Sequence, residues 1–136
     1  PKYLTDQHLI AEYNEILMLF GYVKKYPTID ISKIPKNYTL GKGHILFFKN
    51  KLLYLKNRHE LIKTEMKKRN FLSAKTINLK EFRKKLINNF SAKKEDIKII
   101  KKRLIEKINK KSKFYRYYGK VETKKFLINL IKNAKV

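Results

Sequence analysis

The sequence predicts an all-α fold, a compact single-domain bundle of four to five helices with long connecting loops over residues 1–136. Three observations carry that prediction. Apolar residues return at spacings of three and four along most of the chain, the period of one helix face. Of four glycines and three prolines, Pro27, Pro35, Gly41 and Gly43 gather between residues 26 and 44, which marks one long connection and leaves its flanks unbroken. Alternation of period two is nowhere sustained, and no internal repeat stands out.

Thr5 suits the N-cap of the first helix, with Asp6 in the first turn beside the positive end of the helix dipole. Leu9, Tyr13, Ile16, Leu17, Phe20 and Val23 then form its core-facing stripe. A second helix is expected from Asn50, with Leu52, Leu55, Leu61, Ile62 and Met66 turned inward. Asn78 followed by Glu81 reads as a capping box ahead of Phe82, Leu86 and Phe90, hence a third helix. Ser91 stands at the cap of the next one, whose stripe is Ile97, Ile100, Leu104 and Ile108. A last amphipathic helix, within 121–136, carries Phe126, Leu127, Leu130 and Ile131.

Lys and Arg number 35 against 11 Asp and Glu, a formal net charge of +24, while 43% of residues are hydrophobic. That apolar share suffices for a core, so a disordered basic tail is excluded. Self-repulsion at such a charge favours a polyanionic partner, and nucleic acid is the expected one. Lysine is frequent throughout, so clusters carry more meaning than single residues. The absence of cysteine removes disulfide frameworks, Cys-ligated zinc and thiol nucleophiles. No apolar run reaches the roughly 18 residues of a membrane span, and no signal-peptide core opens the chain. A monomer is expected, cytoplasmic or nuclear, neither secreted nor bound to a membrane.

His8, Glu12 and Glu15 fall at i, i+4 and i+7 on one face of the first helix, roughly 120° from the centre of its apolar stripe. Spacing alone favours a polar face that offsets nearby lysines. The other reading is a general acid/base glutamate facing a polyanion groove, kept ionised by neighbouring cations. Arg103, Lys107 and Lys110 line one face of the later helix. Directly after it, Lys113, Phe114, Tyr115, Arg116, Tyr117, Tyr118, Gly119 and Lys120 interleave cations with aromatics, as phosphate contact plus base stacking requires. The other reading makes Phe114 and one or two of the tyrosines core residues. His44 and His59 make no helical HxxxH pair with His8, so no structural metal site is expected.

The same residues carry a resemblance. The run Asp6-Gln7-His8-Leu9-Ile10-Ala11-Glu12-Tyr13-Asn14-Glu15, with Phe20-Gly21, resembles the first helix of the phage pyrimidine-dimer glycosylases of the endonuclease V type. Leu40-Gly41-Lys42-Gly43-His44, Phe47-Phe48 and the stretch from Lys51-Leu52 to Phe71 are similar to that family's glycine loop and second helix. Arg103-Leu104, Glu106-Lys107-Ile108 and then Tyr115, Tyr117-Tyr118-Gly119-Lys120 resemble its C-terminal helix and aromatic tail. The three blocks follow family order and cover about half the chain.

The resemblance implies a DNA repair glycosylase with abasic-site lyase activity on UV-damaged double-stranded DNA, working by base flipping and kinking, without metal or cofactor. In that family an N-terminal α-amine attacks the sugar C1′ and forms an imine, which β-elimination resolves into a strand break. Such an amine titrates near about 7.7–8.0, so a useful fraction is neutral at physiological pH. The resemblance maps the catalytic glutamate onto Glu15, damaged-strand contacts onto His8, Arg103 and Lys107, and the pocket edge onto Gln7. With His44 of the loop and Lys113, Tyr115, Arg116, Tyr117 and Lys120 of the tail, these are the expected DNA contacts. Family members begin with further residues, whereas this sequence opens at Pro1. Residues missing ahead of Pro1 are the favoured expectation; otherwise Pro1 itself is the nucleophile. The reach is short: Pro1 to Thr5 spans at most ~14 Å extended, against about 15 Å from Thr5 to Glu15 along the helix axis. Asn14 and Met18 stand where the family carries arginines, and the helix beyond Lys120 is an addition. Two other readings stay open, a non-catalytic DNA-kinking module on the same scaffold and a basic structural protein of an RNA–protein particle.

Overall fold

The computed structural model describes residues 1–26, 34, 46–111 and 114–134. Helix α1 spans Asp6–Lys25. The Thr5 hydroxyl accepts from the His8 N–H at 3.1 Å, with Asp6 in the first turn and Lys24 and Lys25 in the last, so both ends suit the dipole. Leu9, Tyr13, Ile16, Phe20 and Val23 are buried as the period requires, joined by Leu19. Helix α2 spans Leu52–Lys68, two residues later than Asn50 implied, with Lys51 as its N-cap.

Leu52, Leu55, Ile62 and Met66 of α2 are buried against α1, and Phe47, Phe48, Ile77 and Leu86 close the same core. Leu61 is not among them: it is 57% exposed. At 100° per residue it lies diametrically opposite Leu52, so hydrophobicity placed it inward and geometry does not.

Residues 79–90 differ more from expectation. The Asn78 side chain does accept a hydrogen bond, from the Lys80 N–H at 3.0 Å. The helix it starts is a single 3-10 turn, Leu79–Glu81, followed by a second, Lys84–Leu86. Phe82 lies edge-on to Phe20 at 5.2 Å, and Phe90 packs against Phe47, Phe48 and Tyr54. Burying rings eight residues apart in separate pockets of the α1–α2 core outweighs a helix propensity worth tenths of a kcal/mol per residue, on the order of 0.5.

Helix α3 spans Lys94–Lys110, and α4 spans Lys124–Lys132. The cap of α3 is Lys93, whose N–H donates to Asp96 Oδ2 at 2.9 Å, rather than Ser91. Thr123 caps α4 by accepting from the Phe126 N–H at 3.1 Å. Leu127 and Ile131 of α4 pack with Ile108 of α3 and with Tyr115 in a second, smaller apolar cluster, while Phe126 is 41% exposed. Lys101 Nζ of α3 donates to the carbonyls of Lys132 and Ala134, at 3.1 and 2.8 Å, and so satisfies the end of α4. Between the two helices, β1 (Arg116–Tyr117) and β2 (Lys120–Val121) pair antiparallel, Arg116 with Val121 and Tyr117 with Lys120. This small hairpin is the one departure from helix and loop among the described residues, and the chain is mostly helical.

Candidate active site

The start of α1, the end of α2 and the β1–β2 hairpin converge on Arg69, the C-cap of α2. Its side chain is fully enclosed. Nε donates to Glu65 Oε2 at 3.0 Å, and Nη1 donates to Asp6 Oδ1 at 3.0 Å and to the Leu4 carbonyl at 2.8 Å. Nη2 donates to the carbonyls of Lys2, at 3.2 Å, and Pro1, at 3.5 Å. These contacts use all the guanidinium's N–H donors, which is what a buried cation needs to be tolerated. The rings of Tyr117 and Tyr118 lie over it, 4.8 and 4.5 Å from the guanidinium carbon.

Asp6 and Gln7 clip the segment 114–119 onto α1. The Asp6 carboxylate accepts from the N–H groups of Tyr118, at 3.0 Å, and Gly119, at 2.7 Å. Both residues are left-handed, with φ of 51° and 80°, the pattern of a two-residue hairpin turn. Glycine adopts it freely; a tyrosine there is strained by about 1–2 kcal/mol. The Gln7 amide donates to the Phe114 carbonyl at 2.7 Å and accepts from the Arg116 N–H at 2.9 Å. The Tyr118 hydroxyl donates to Glu65 at 2.6 Å, a bond that pushes its pKa upward. The Tyr117 hydroxyl donates to the Lys2 carbonyl at 2.8 Å.

His8, Glu12 and Glu15 share a helix face yet meet three environments. His8 is buried with its ring 4.6 Å from that of Tyr115, and neither ring nitrogen has a hydrogen-bond partner. Burial, then the charge of Lys107, pushes its pKa down to about 4, so it is neutral at physiological pH. Glu12 is half-buried and receives a fork from Arg58, Nε at 2.7 Å and Nη2 at 3.1 Å. Glu15, one turn further, is exposed. Burial and then Arg58 lower the pKa of an amine on Pro1, while Glu12 and Glu65 act against that shift. The carboxylates that act on it are thus Glu12 and Glu65.

Arg103 and Lys107 are exposed on α3, with Lys107 close enough to His8 to act on its titration. Tyr115 is buried, Tyr117 half-buried, and Arg116, Tyr118 and Lys120 exposed. His44 and Lys113 lie outside the described residues. The structure therefore brings together Pro1, Gln7, His8, Lys107, Tyr115 and Tyr117, and adds three residues that no sequence pattern singles out, Arg58, Glu65 and Arg69, together with Asp6, expected only as a first-turn acid. Glu65 and Arg69 do have an i, i+4 spacing, but in a lysine-rich helix that signal reads as one more surface pair. Among the described residues, no group of three or more His, Cys, Asp or Glu stands together as a metal site, and no helix is long and apolar enough to cross a membrane.

Residues 1–79 match the model of a family described as pyrimidine dimer DNA glycosylase. The matched span takes in the terminal lead, α1, the connection that follows and α2, ending at Leu79. It includes Arg58, Glu65 and Arg69, whereas Arg103, Lys107 and the aromatic hairpin lie beyond it.

Proposed function

Because the chain belongs to the pyrimidine dimer DNA glycosylase family, we propose that it removes a damaged pyrimidine from duplex DNA and then cuts the strand at the abasic site, with an N-terminal amine as nucleophile. The amine travels on the lead that Arg69 holds, whether it is Pro1's own or belongs to residues ahead of it. Its lone pair attacks C1′, the glycosidic bond breaks, and the base leaves with a proton. Ring opening gives an imine, or an iminium if the amine is secondary. Loss of a C2′ proton then expels the 3′ phosphate by β-elimination, and water releases the enzyme.

The family match carries this reading, and the local electrostatics support it. A half-buried Pro1 near Arg58 and Arg69 favours the neutral, nucleophilic amine, while Glu12 and Glu65 compensate the cation that forms on attack. Glu15 is the residue we assign to proton transfer at C2′ and at the leaving base. Exposed Arg103 and Lys107 suit phosphate contact, and Lys120 and Arg116 extend the basic surface onto the hairpin.

The test is borohydride trapping with the full chain in EDTA, on UV-irradiated and abasic duplexes, followed by mass spectrometry of the adduct. A covalent adduct and strand cleavage on both are expected, and Glu15→Gln should abolish cleavage while keeping affinity for the duplex. Tight binding with neither adduct nor cleavage would establish the second reading, a DNA-kinking module without catalysis. Asn14 and Met18, the latter 74% exposed, stand where the resemblance places arginines, and the loss of two cations there supports that alternative.

A further inference from the structure

The Arg69 network ties together two parts of the chain that are far apart in sequence and that the proposed reaction uses for different purposes. One is the lead, residues 1–5, along which the nucleophile arrives. The other is the hairpin over 114–121, which follows the basic face of α3. Arg69 donates to three carbonyls of the lead, those of Pro1, Lys2 and Leu4. The same guanidinium is covered by the two hairpin rings and shares Asp6 with the hairpin's turn. Tyr117 closes the circuit by donating directly to the Lys2 carbonyl at 2.8 Å.

Simple retention of the hairpin does not require this geometry. Gln7 already fixes 114–116 with two hydrogen bonds. A turn that merely reversed the chain would also place asparagine or glycine, not tyrosine, at the left-handed position of Tyr118. That strained backbone sets the Tyr118 ring over Arg69 and its hydroxyl on Glu65, the carboxylate that also holds Arg69 Nε. The carbonyl contacts are equally telling, because they fix the path of the lead's backbone irrespective of its side chains.

We propose that Arg69 is a positioning residue that aims the amine-bearing lead, and that docking of the Tyr117–Tyr118 hairpin holds it in that aim. The inference rests on the amine mechanism above. A reacting amine displaced by about 1 Å costs on the order of 10²-fold in rate without altering the surface that meets DNA.

Single-turnover borohydride trapping of the full chain on an abasic duplex, at a series of duplex concentrations, separates aim from binding. Arg69→Lys keeps a cation but loses the fork and most of the carbonyl contacts. Tyr117→Phe removes one hydroxyl and leaves the ring over Arg69, so it keeps the inference testable should Arg69→Lys fail to fold. The expected result is a limiting rate lower by about tenfold or more in Arg69→Lys and by a few-fold in Tyr117→Phe, with half-saturating duplex concentration unchanged. Wild-type limiting rates in both variants would overturn the inference, as would losses confined to half-saturation, which would make these residues DNA contacts. If wild type itself forms no adduct, the amine mechanism fails first, and the inference falls with it.

Discussion

Replacing His8 by phenylalanine isolates the energetic consequence of a histidine kept neutral by its surroundings. The His8 ring is 8% exposed, lies against Tyr115, faces the charge of Lys107 and has no hydrogen-bond partner at either nitrogen. Its pKa falls from 6.5 to about 4, first because burial penalises the imidazolium and second because of Lys107. The folded-state pKa is the lower one, so the unfolded chain binds the extra proton. Stability linked to His8 is therefore complete above 6.5 and drains away as pH falls toward 4, with no further loss below that. The whole drop corresponds to roughly 3 kcal/mol, and about 2.5 kcal/mol of it is spent by about pH 4.5. Urea denaturation of wild type and His8→Phe at about pH 7.5 and 4.5 measures it. Carboxylates titrate in both proteins and cancel, so wild type should lose about 2.5 kcal/mol more than the variant on acidification. Parallel losses, or a His8 titration near 6.5 by NMR, would refute the assignment of His8 to a dry, cation-flanked site.

Asp6→Ala should destabilise the protein by about 3 kcal/mol in chemical denaturation, because it strips a partner from the enclosed Arg69 and both N–H groups from their acceptor. Gly119→Ala meets no atom within 4 Å, so its cost should be the backbone term alone, about 1–2 kcal/mol for φ of +80°, read as a fall in Tm. Arg103→Ala and Lys107→Ala should each weaken duplex binding and flatten its salt dependence by about one in log–log slope; an unchanged slope would make them solvated residues.

Local features were legible in the sequence and long-range ones were not. The stripe of α1 and its Thr5 cap follow from period and side-chain chemistry within one segment, and the structure has both. The Asn78 cap is also real, yet its helix is cut to one turn because Phe82 and Phe90 find pockets on α1 and α2 that no local pattern describes. Leu61 was drawn inward by its hydrophobicity alone, against the angle that Leu55, Ile62 and Met66 define. In the site, the shared face of His8, Glu12 and Glu15 was readable, but the environments of His8 and Glu12 are set by residues about 46 to 107 positions away, namely Arg58, Lys107 and Tyr115. Arg69 was invisible for the same reason: six of its contacts are to residues whose proximity only the fold creates.

The distribution of charge separates the two halves of the molecule and leads to a last prediction. Ion pairs between described residues all fall within residues 1–81, where Glu12, Asp6, Glu60, Glu65 and Glu81 each meet a cation. From residue 94 onward the acids are only Glu95, Asp96, Glu106 and Glu122, among lysines and arginines that far outnumber them. This half rests on a small apolar cluster, Ile108, Tyr115, Leu127 and Ile131, and meets α1 largely through the polar clips of Asp6 and Gln7. Few buried apolar contacts and strong self-repulsion both lower local stability. Screening should therefore protect it: raising salt from about 0.02 to 0.2 M shortens the Debye length to below about 10 Å and weakens repulsion more than any attraction there. In amide hydrogen exchange, α3 and α4 should open more readily than α1 and α2 at low salt. Added salt should slow them selectively, and duplex DNA should slow them further. Exchange in α3 and α4 that speeds up with salt, or moves in step with α1, would mean attractive pairs hold this half together. A surface so compensated would no longer call for a polyanion.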